Sequence, residues 1–166
     1  MIFRNLRFFL NISLIVPAFI FILDRISKIY VINLSKNSFD IELYTSKFLN
    51  ITLVWNEGIA FGLFSSSHEY WYNFLTIVIV LIAIVILIMS IRENGAQRYF
   101  FLIVSGGALG NLYDRIFFKA VPDFIDLHVG NFHWFVFNIA DIFITFGVIM
   151  LILWEILPLN KDYEKK

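Results

Sequence analysis

Two aspartates at the edges of apolar segments carry the chemistry open to this chain. Asp123 lies in VPDFID, just after a glycine-rich apolar stretch, and Asp141 lies in FNIAD, where the last apolar run begins. A carboxylate at membrane depth costs several kcal/mol, so its presence there marks a functional candidate. Two carboxylates that converge can share one proton. One then acts as base while the other acts as acid, which is what hydrolysis of a peptide bond by water requires.

The remaining polar residues in apolar surroundings are few. Asp24 stands in LDRISK, Asn56 and Gly58 in NEGIAFG, and Asn111, Asp114 and Arg115 in GGALGNLYDR. Spacings of three and four let Asn111, Asp114 and Arg115 share one side of a helix. Arg115 has two readings: neutralising Asp24 or Asp114 as a structural partner, or supporting the reacting centre. Asn138 and Asp141 have the spacing of a helix start, with Asn138 as cap and Asp141 among free N–H groups. A helix N-terminus favours negative charge. We therefore expect Asp141 to hold the charge of the pair and Asp123 more often the proton. Asp126, His128 and His133 have the residue types of metal ligands but lack a third strong nitrogen donor at familiar spacing, so the expectation is hairpin residues and no metal site. No Ser-x-x-Lys or Gly-x-Ser-x-Gly pattern supplies a serine nucleophile. The chain has no cysteine, which excludes thiolate chemistry and disulfides.

These residues need elements to hold them, and composition says which. Of 166 residues, 60% are hydrophobic and only 16% are charged. A soluble domain of this length has no core large enough for so much apolar surface, so lipid must be a second solvent. Formal net charge is zero, which gives no reason to expect a nucleic-acid partner. Four runs are long enough to cross a bilayer, which takes roughly 20 apolar residues. They cover about 6–29, 71–91, 99–118 and 137–157. The expected architecture is an integral membrane, mainly α protein with four transmembrane helices, forming a single domain over 1–166. Within the first run, the apolar stretch from Phe8 to Leu23 follows Arg4 and Arg7 but lacks a small-x-small cleavage pattern, so it reads as a retained span. Pro17 within it is a tolerable kink. An even number of spans puts both termini on one side. The basic residues divide almost evenly between the faces, and a cytoplasmic position for both termini is the favoured reading. Trp55, Tyr70, Trp71, Tyr72 and Trp134 are placed at the outer interface.

The outer loop, about 33–69, is β-rich. Phe39 to Tyr44 and Phe48 to Trp55 alternate apolar and polar residues, as strands do. A second hairpin is expected at Gly130-Asn131, since Gly-Asn suits a two-residue turn. The segment from Asn56 to Ser67 reads either as a lid hinged at Gly58 and Gly62 or as an ordinary interfacial loop. Gly106 and Gly110 form a GxxxG pattern, read as close helix packing. With antiparallel spans, the ends of the first and third meet the start of the fourth, and all the polar residues above fall at one level.

Taken together, the blocks LDRISK, NEGIAFG, GGALGNLYDR, VPDF and FNIAD resemble, in order, the pattern of the lipoprotein signal peptidases, the type II signal peptidases of bacteria. The resemblance implies four transmembrane helices with a small extracytoplasmic β-cradle. It implies an aspartic endopeptidase of the bacterial cytoplasmic (inner) membrane. Such an enzyme removes signal peptides from diacylglyceryl-modified prolipoproteins before the lipidated cysteine, at the outer membrane face. Asp123 and Asp141 match the family's catalytic pair. Asp24, Asn56, Gly58, Asn111, Asp114, Arg115 and Asn138 match supporting or substrate-binding positions. The resemblance implies no metal or organic cofactor. It implies membrane lipids as surroundings, a monomer, and inhibition by cyclic peptides of the globomycin type. Three positions depart from the pattern: Ile59 replaces a small residue, and Arg25 and Ser27 stand where Gln and Thr are usual. Two other readings of the residues alone are a proton-coupled transporter subunit, which needs acids staggered through membrane depth, and a non-enzymatic assembly subunit using the GxxxG face.

Overall fold

A computed structural model describes residues 2–37, 42–58 and 69–157. Ile59, Gly62 and most of the expected lid lie outside the described residues. So do the start of the first expected strand, the charged tail, and the side chains of Arg4, Arg7 and Trp71.

Among the described residues the elements follow in the order α1 (Ile2–Asn37), β1 (Glu42–Thr45), β2 (Leu49–Asn56), α2 (Glu69–Arg92), α3 (Gly95–Phe118), β3 (Val121–Val129), β4 (Phe132–Phe137) and α4 (Ile139–Ile156). Each expected apolar run forms a helix. Two stretches, Tyr72–Arg92 of α2 and Ile139–Ile156 of α4, are long and apolar enough to cross a membrane by length and composition. Both are apolar almost all round. Ile77, Leu81, Ile149 and Ile152 are among many large side chains left exposed on them. A helix hydrophobic on every face belongs in lipid or in the core of a large protein.

The glycine-rich helix α3 is the central one, packed against α1, α2 and α4. Its small residues explain the closeness. A Cβ on Gly106 would come within 2.8 Å of Ile20 Cβ and 3.0 Å of Pro17 Cα, both on α1. One on Gly107 would stand 2.6 Å from the Ala140 carbonyl oxygen on α4. The GxxxG stripe is thus a packing surface, as expected.

The strands form one antiparallel sheet in the order β1-β2-β3-β4. Lys119, with φ of 60°, ends α3 in the left-handed region and turns the chain directly into β3. Asp123 therefore sits on a strand, not on a loop, and pairs across to Val54 of β2. Between Ile51 and Val54 the register slips by one residue, a bulge that re-aims the end of β2 beside the site. The β3–β4 turn is Gly130-Asn131, with Gly130 at φ of +60°, as the turn chemistry predicts.

Candidate active site

The site starts at the first turn of α4. Asn138 caps the helix: its Oδ1 accepts from the Asp141 backbone N–H at 3.1 Å. Asp141 returns the contact, its Oδ2 accepting from the Asn138 backbone N–H at 3.1 Å. This capping box fixes the rotamers of both side chains. The cap has a second task. Asn138 Nδ2 donates to Asp123 Oδ1 at 2.6 Å, so one asparagine holds both carboxylates.

Two further amides complete the cluster. Asn56 Nδ2, at the end of β2, donates to Asp123 Oδ2 at 2.9 Å. Asn111 Nδ2, on α3, donates to Asp141 Oδ1 at 2.8 Å. Asn111 Oδ1 accepts in turn from Asn138 Nδ2 at 3.2 Å. Asp123, only 4% exposed, has its pKa pushed up to about 6. Burial is the main cause and the nearby Asp141 carboxylate the second; hydrogen bonds from Asn56 and Asn138 and the charge of Lys28 oppose them.

A layer of four charges lies beneath. Arg25 forms a two-pronged pair with Asp114, Nη1 to Oδ1 and Nη2 to Oδ2, the latter at 2.6 Å, and its Nη2 also reaches Asp24 at 2.8 Å. Lys28 Nζ lies 2.9 Å from Asp24 Oδ2 and 2.7 Å from Asp114 Oδ2. The four charges sum to zero, as burial demands. Two links join this layer to the upper cluster. Lys28 Nζ donates to Asn111 Oδ1 at 2.9 Å, which leaves the amide NH2 of Asn111 facing Asp141. Asp24 Oδ1 accepts from the Ala140 backbone N–H at 3.1 Å, satisfying a free donor in the first turn of α4.

All nine residues singled out from the sequence meet here, directly or through one neighbour. Arg115 corrects one reading. It pairs with neither Asp24 nor Asp114; its Nη2 donates to the Gly58 carbonyl at 2.8 Å and its Nη1 to the Asn111 carbonyl at 3.4 Å. Gly58 is held from its other side, its N–H donating to Asn56 Oδ1 at 2.9 Å. The neutralising role belongs to Arg25 and Lys28. Lys28, which was not singled out from the sequence, is 1% exposed and belongs to this buried layer. The available signal was its spacing: Asp24 and Lys28 are four apart on one helix.

The polar cluster opens on a cavity of about 180 Å³, lined by Asn56, Asn111, Arg115, Asp123, Asp141 and Thr145 with apolar neighbours. A larger apolar groove of about 730 Å³ runs along β4 and the outer face of α4, past Trp134, Phe137, Phe146 and Ile149. The two share Asp141, Phe135 and Thr145. An extended apolar ligand in the groove would thus pass within reach of the carboxylates.

A family described as signal peptidase (SPase) II matches residues 16–157. The chain is 52% identical over 163 residues to the lipoprotein signal peptidase of Pelagibacter ubique (strain HTCC1062), covering 98% of this chain and 97% of that one. It is 43% identical over 149 residues to the lipoprotein signal peptidase of Anaplasma phagocytophilum (strain HZ), covering 87% and 92%. A solved bacterial membrane enzyme, obtained by the in meso method at 2.3 Å resolution, superposes with a TM-score of 0.70 at 33% identity, over 93% of this chain and 90% of that one. A second, at 1.9 Å resolution, gives 0.71 at 30% identity, over 88% and 93%. By its sequence along nearly its whole length and by its fold, the chain belongs to the signal peptidase II family.

Proposed function

We infer that this protein is a lipoprotein signal peptidase: an aspartic peptidase of a bacterial membrane that removes signal peptides from prolipoproteins. The observation that carries the reading is the double grip of Asn138, whose side chain holds Asp123 while its backbone and cap hold Asp141. Such a grip keeps two like charges together that would otherwise repel, and a pair so held can divide one proton between them.

In the reaction, Asp141 begins ionised at the positive end of α4 and Asp123 begins protonated. Asp141 takes a proton from water as the water oxygen bonds to the scissile carbonyl carbon. Asp123 gives its proton to the carbonyl oxygen. As the C–N bond breaks, the proton on Asp141 passes to the leaving amine, and the carbonyl oxygen returns its proton to Asp123. Asn56 and Asn111 orient the peptide, and Arg115 fixes the chain around Gly58.

All four helices span the membrane in this reading, as parts of a single domain, with both termini cytoplasmic and the sheet at the outer surface. Exposed Trp55, Tyr70 and Trp134 suit that interface. The substrate is the diacylglyceryl-modified form, cut before its lipidated cysteine. Its acyl chains contribute up to about 0.8 kcal/mol per buried methylene, less what the bilayer already supplies. The apolar groove fits the segment beside the scissile bond and, equally, a globomycin-type cyclic peptide. The enzyme acts as a monomer. A transporter subunit would need acids at successive depths, whereas Asp24, Asp114, Asp123 and Asp141 are joined through Lys28, Asn111 and Asn138 in one network.

The test uses the purified full chain in detergent micelles, with a diacylglyceryl-modified prolipoprotein and its unmodified precursor. Release of the signal peptide from the modified form alone, with cysteine as the new N-terminus, is expected. Equal cutting of both forms, or of neither, would remove the reading.

A further inference from the structure

Asp126, His128 and His133 sit on the β3–β4 hairpin, apart from the hydrogen-bond chain of the two catalytic candidates. Asp126 and His128 are two apart on β3, and the β3–β4 register shifts by one residue between them. His133 is the cross-strand partner of His128, and the two rings stack with centroids 5.0 Å apart. His133 Nδ1 lies 2.8 Å from Asp126 Oδ2. One donor atom from each of the three residues falls within 4.8 Å of the others.

Two features go beyond an ordinary histidine–aspartate contact. Asp126 Oδ1 and His128 Nδ1 are buried and have no hydrogen-bond partner. Buried polar atoms are nearly always paired, so two left without partners in one cluster need an explanation. Asp126 is also only 8% exposed, and among the described residues its one ion-pair partner is His133.

We propose that Asp126, His128 and His133 bind a divalent transition-metal ion. Two imidazoles and a carboxylate are a donor set suited to Zn²⁺, Co²⁺ or Ni²⁺. Tetrahedral coordination at about 2.0–2.2 Å sets its ligands about 3.3 Å apart. The Asp126–His133 contact has only to open slightly, and the wider separations to close through side-chain rotation. His133 is exposed, which gives the ion a way in and leaves a fourth position for water. Bound there, the ion ties β3 to β4 beside the Gly130-Asn131 turn, at the rim of the apolar groove that His128 also lines. The proposal does not depend on the peptidase reading.

The experiment is a Co²⁺ titration of the tag-free full chain in micelles, followed through the visible ligand-field bands and by calorimetry. One ion per chain is expected, with intense tetrahedral bands that Zn²⁺ displaces. H133Q and H128Q should each weaken binding by about tenfold or more. H133Q alters an exposed side chain, and an unchanged melting temperature would show that its fold is intact. H68Q, which removes the one other histidine of the sequence, should bind like the native chain. No saturable uptake would overturn the proposal. So would uptake that survives in an H128Q/H133Q double variant, or uptake lost in H68Q.

Discussion

Replacing Asp123 by asparagine separates the electrostatics of the site from its chemistry. The ordinary pKa of 3.8 rises to about 6 in the folded protein. Between those values the folded chain holds a proton that the unfolded chain has released. Stability contributed by this group is therefore full below pH 3.8, falls as pH rises, and is lost above about pH 6. At about 1.4 kcal/mol per pH unit, ionising Asp123 costs the fold on the order of 3 kcal/mol. Asparagine does not ionise, so that loss disappears in D123N. A second effect opposes it. Both Asp123 oxygens accept, from Asn56 at 2.9 Å and from Asn138 at 2.6 Å, whereas an amide offers one oxygen and turns its NH2 toward the other donor. The mismatch costs about 1–3 kcal/mol, equally at every pH. D123N should thus be less stable than the native protein near pH 4. The gap should close by about 3 kcal/mol towards pH 7, until the variant equals or exceeds the native protein. Thermal unfolding in micelles, followed by tryptophan fluorescence across this range, reads the difference. Stability curves that stay parallel from pH 4 to pH 7 would refute the reasoning.

Three further outcomes follow from the geometry. N138A removes the cap of α4 and the shortest hydrogen bond to Asp123, and should cost about 2–4 kcal/mol in thermal unfolding along with most signal-peptide release. G107A places a Cβ 2.6 Å from the Ala140 carbonyl oxygen, a backbone atom that cannot swing away. It should lower stability by about 1–3 kcal/mol by forcing α3 and α4 apart, as a reduced melting temperature would record. K28M leaves Asp24 and Asp114 with Arg25 as their one cation and removes one of the two hydrogen bonds that Asn111 Oδ1 accepts. A loss of about 3–5 kcal/mol is expected, and an unchanged denaturation midpoint would count against the buried charge layer.

The helices were legible because uninterrupted apolar length is a local property. Their ends were less so. α1 runs on to Asn37, past the expected end near Ile29, because no glycine or proline stops it. The β3–β4 turn was legible in Gly130-Asn131 for the same local reason. The start of β3 was not. VPDFID opens with a proline close behind and carries two aspartates, a poor strand by propensity; pairing with β2 makes it one. The polar residues of the cluster stood out as candidates because polar groups are rare in this chain. Their wiring was not readable, since it depends on which helix faces meet. Of the two readings of Arg115, pairing with Asp24 or Asp114 did not hold, since it binds the Gly58 carbonyl, and Lys28, buried among the acids, was not singled out. The Asp126–His128–His133 cluster was dismissed on spacing, because strand pairing rather than sequence brings His133 beside His128.

The central claim is that Asp123 and Asp141 divide the acid and base work between them. Single-turnover cleavage of a diacylglyceryl-modified prolipoprotein by native, D123N and D141N protein tests it most directly, with substrate binding measured alongside. Each variant should bind substrate as the native protein does and cut it about 10³-fold more slowly or worse. Cleavage by either variant within about tenfold of the native rate would contradict the account.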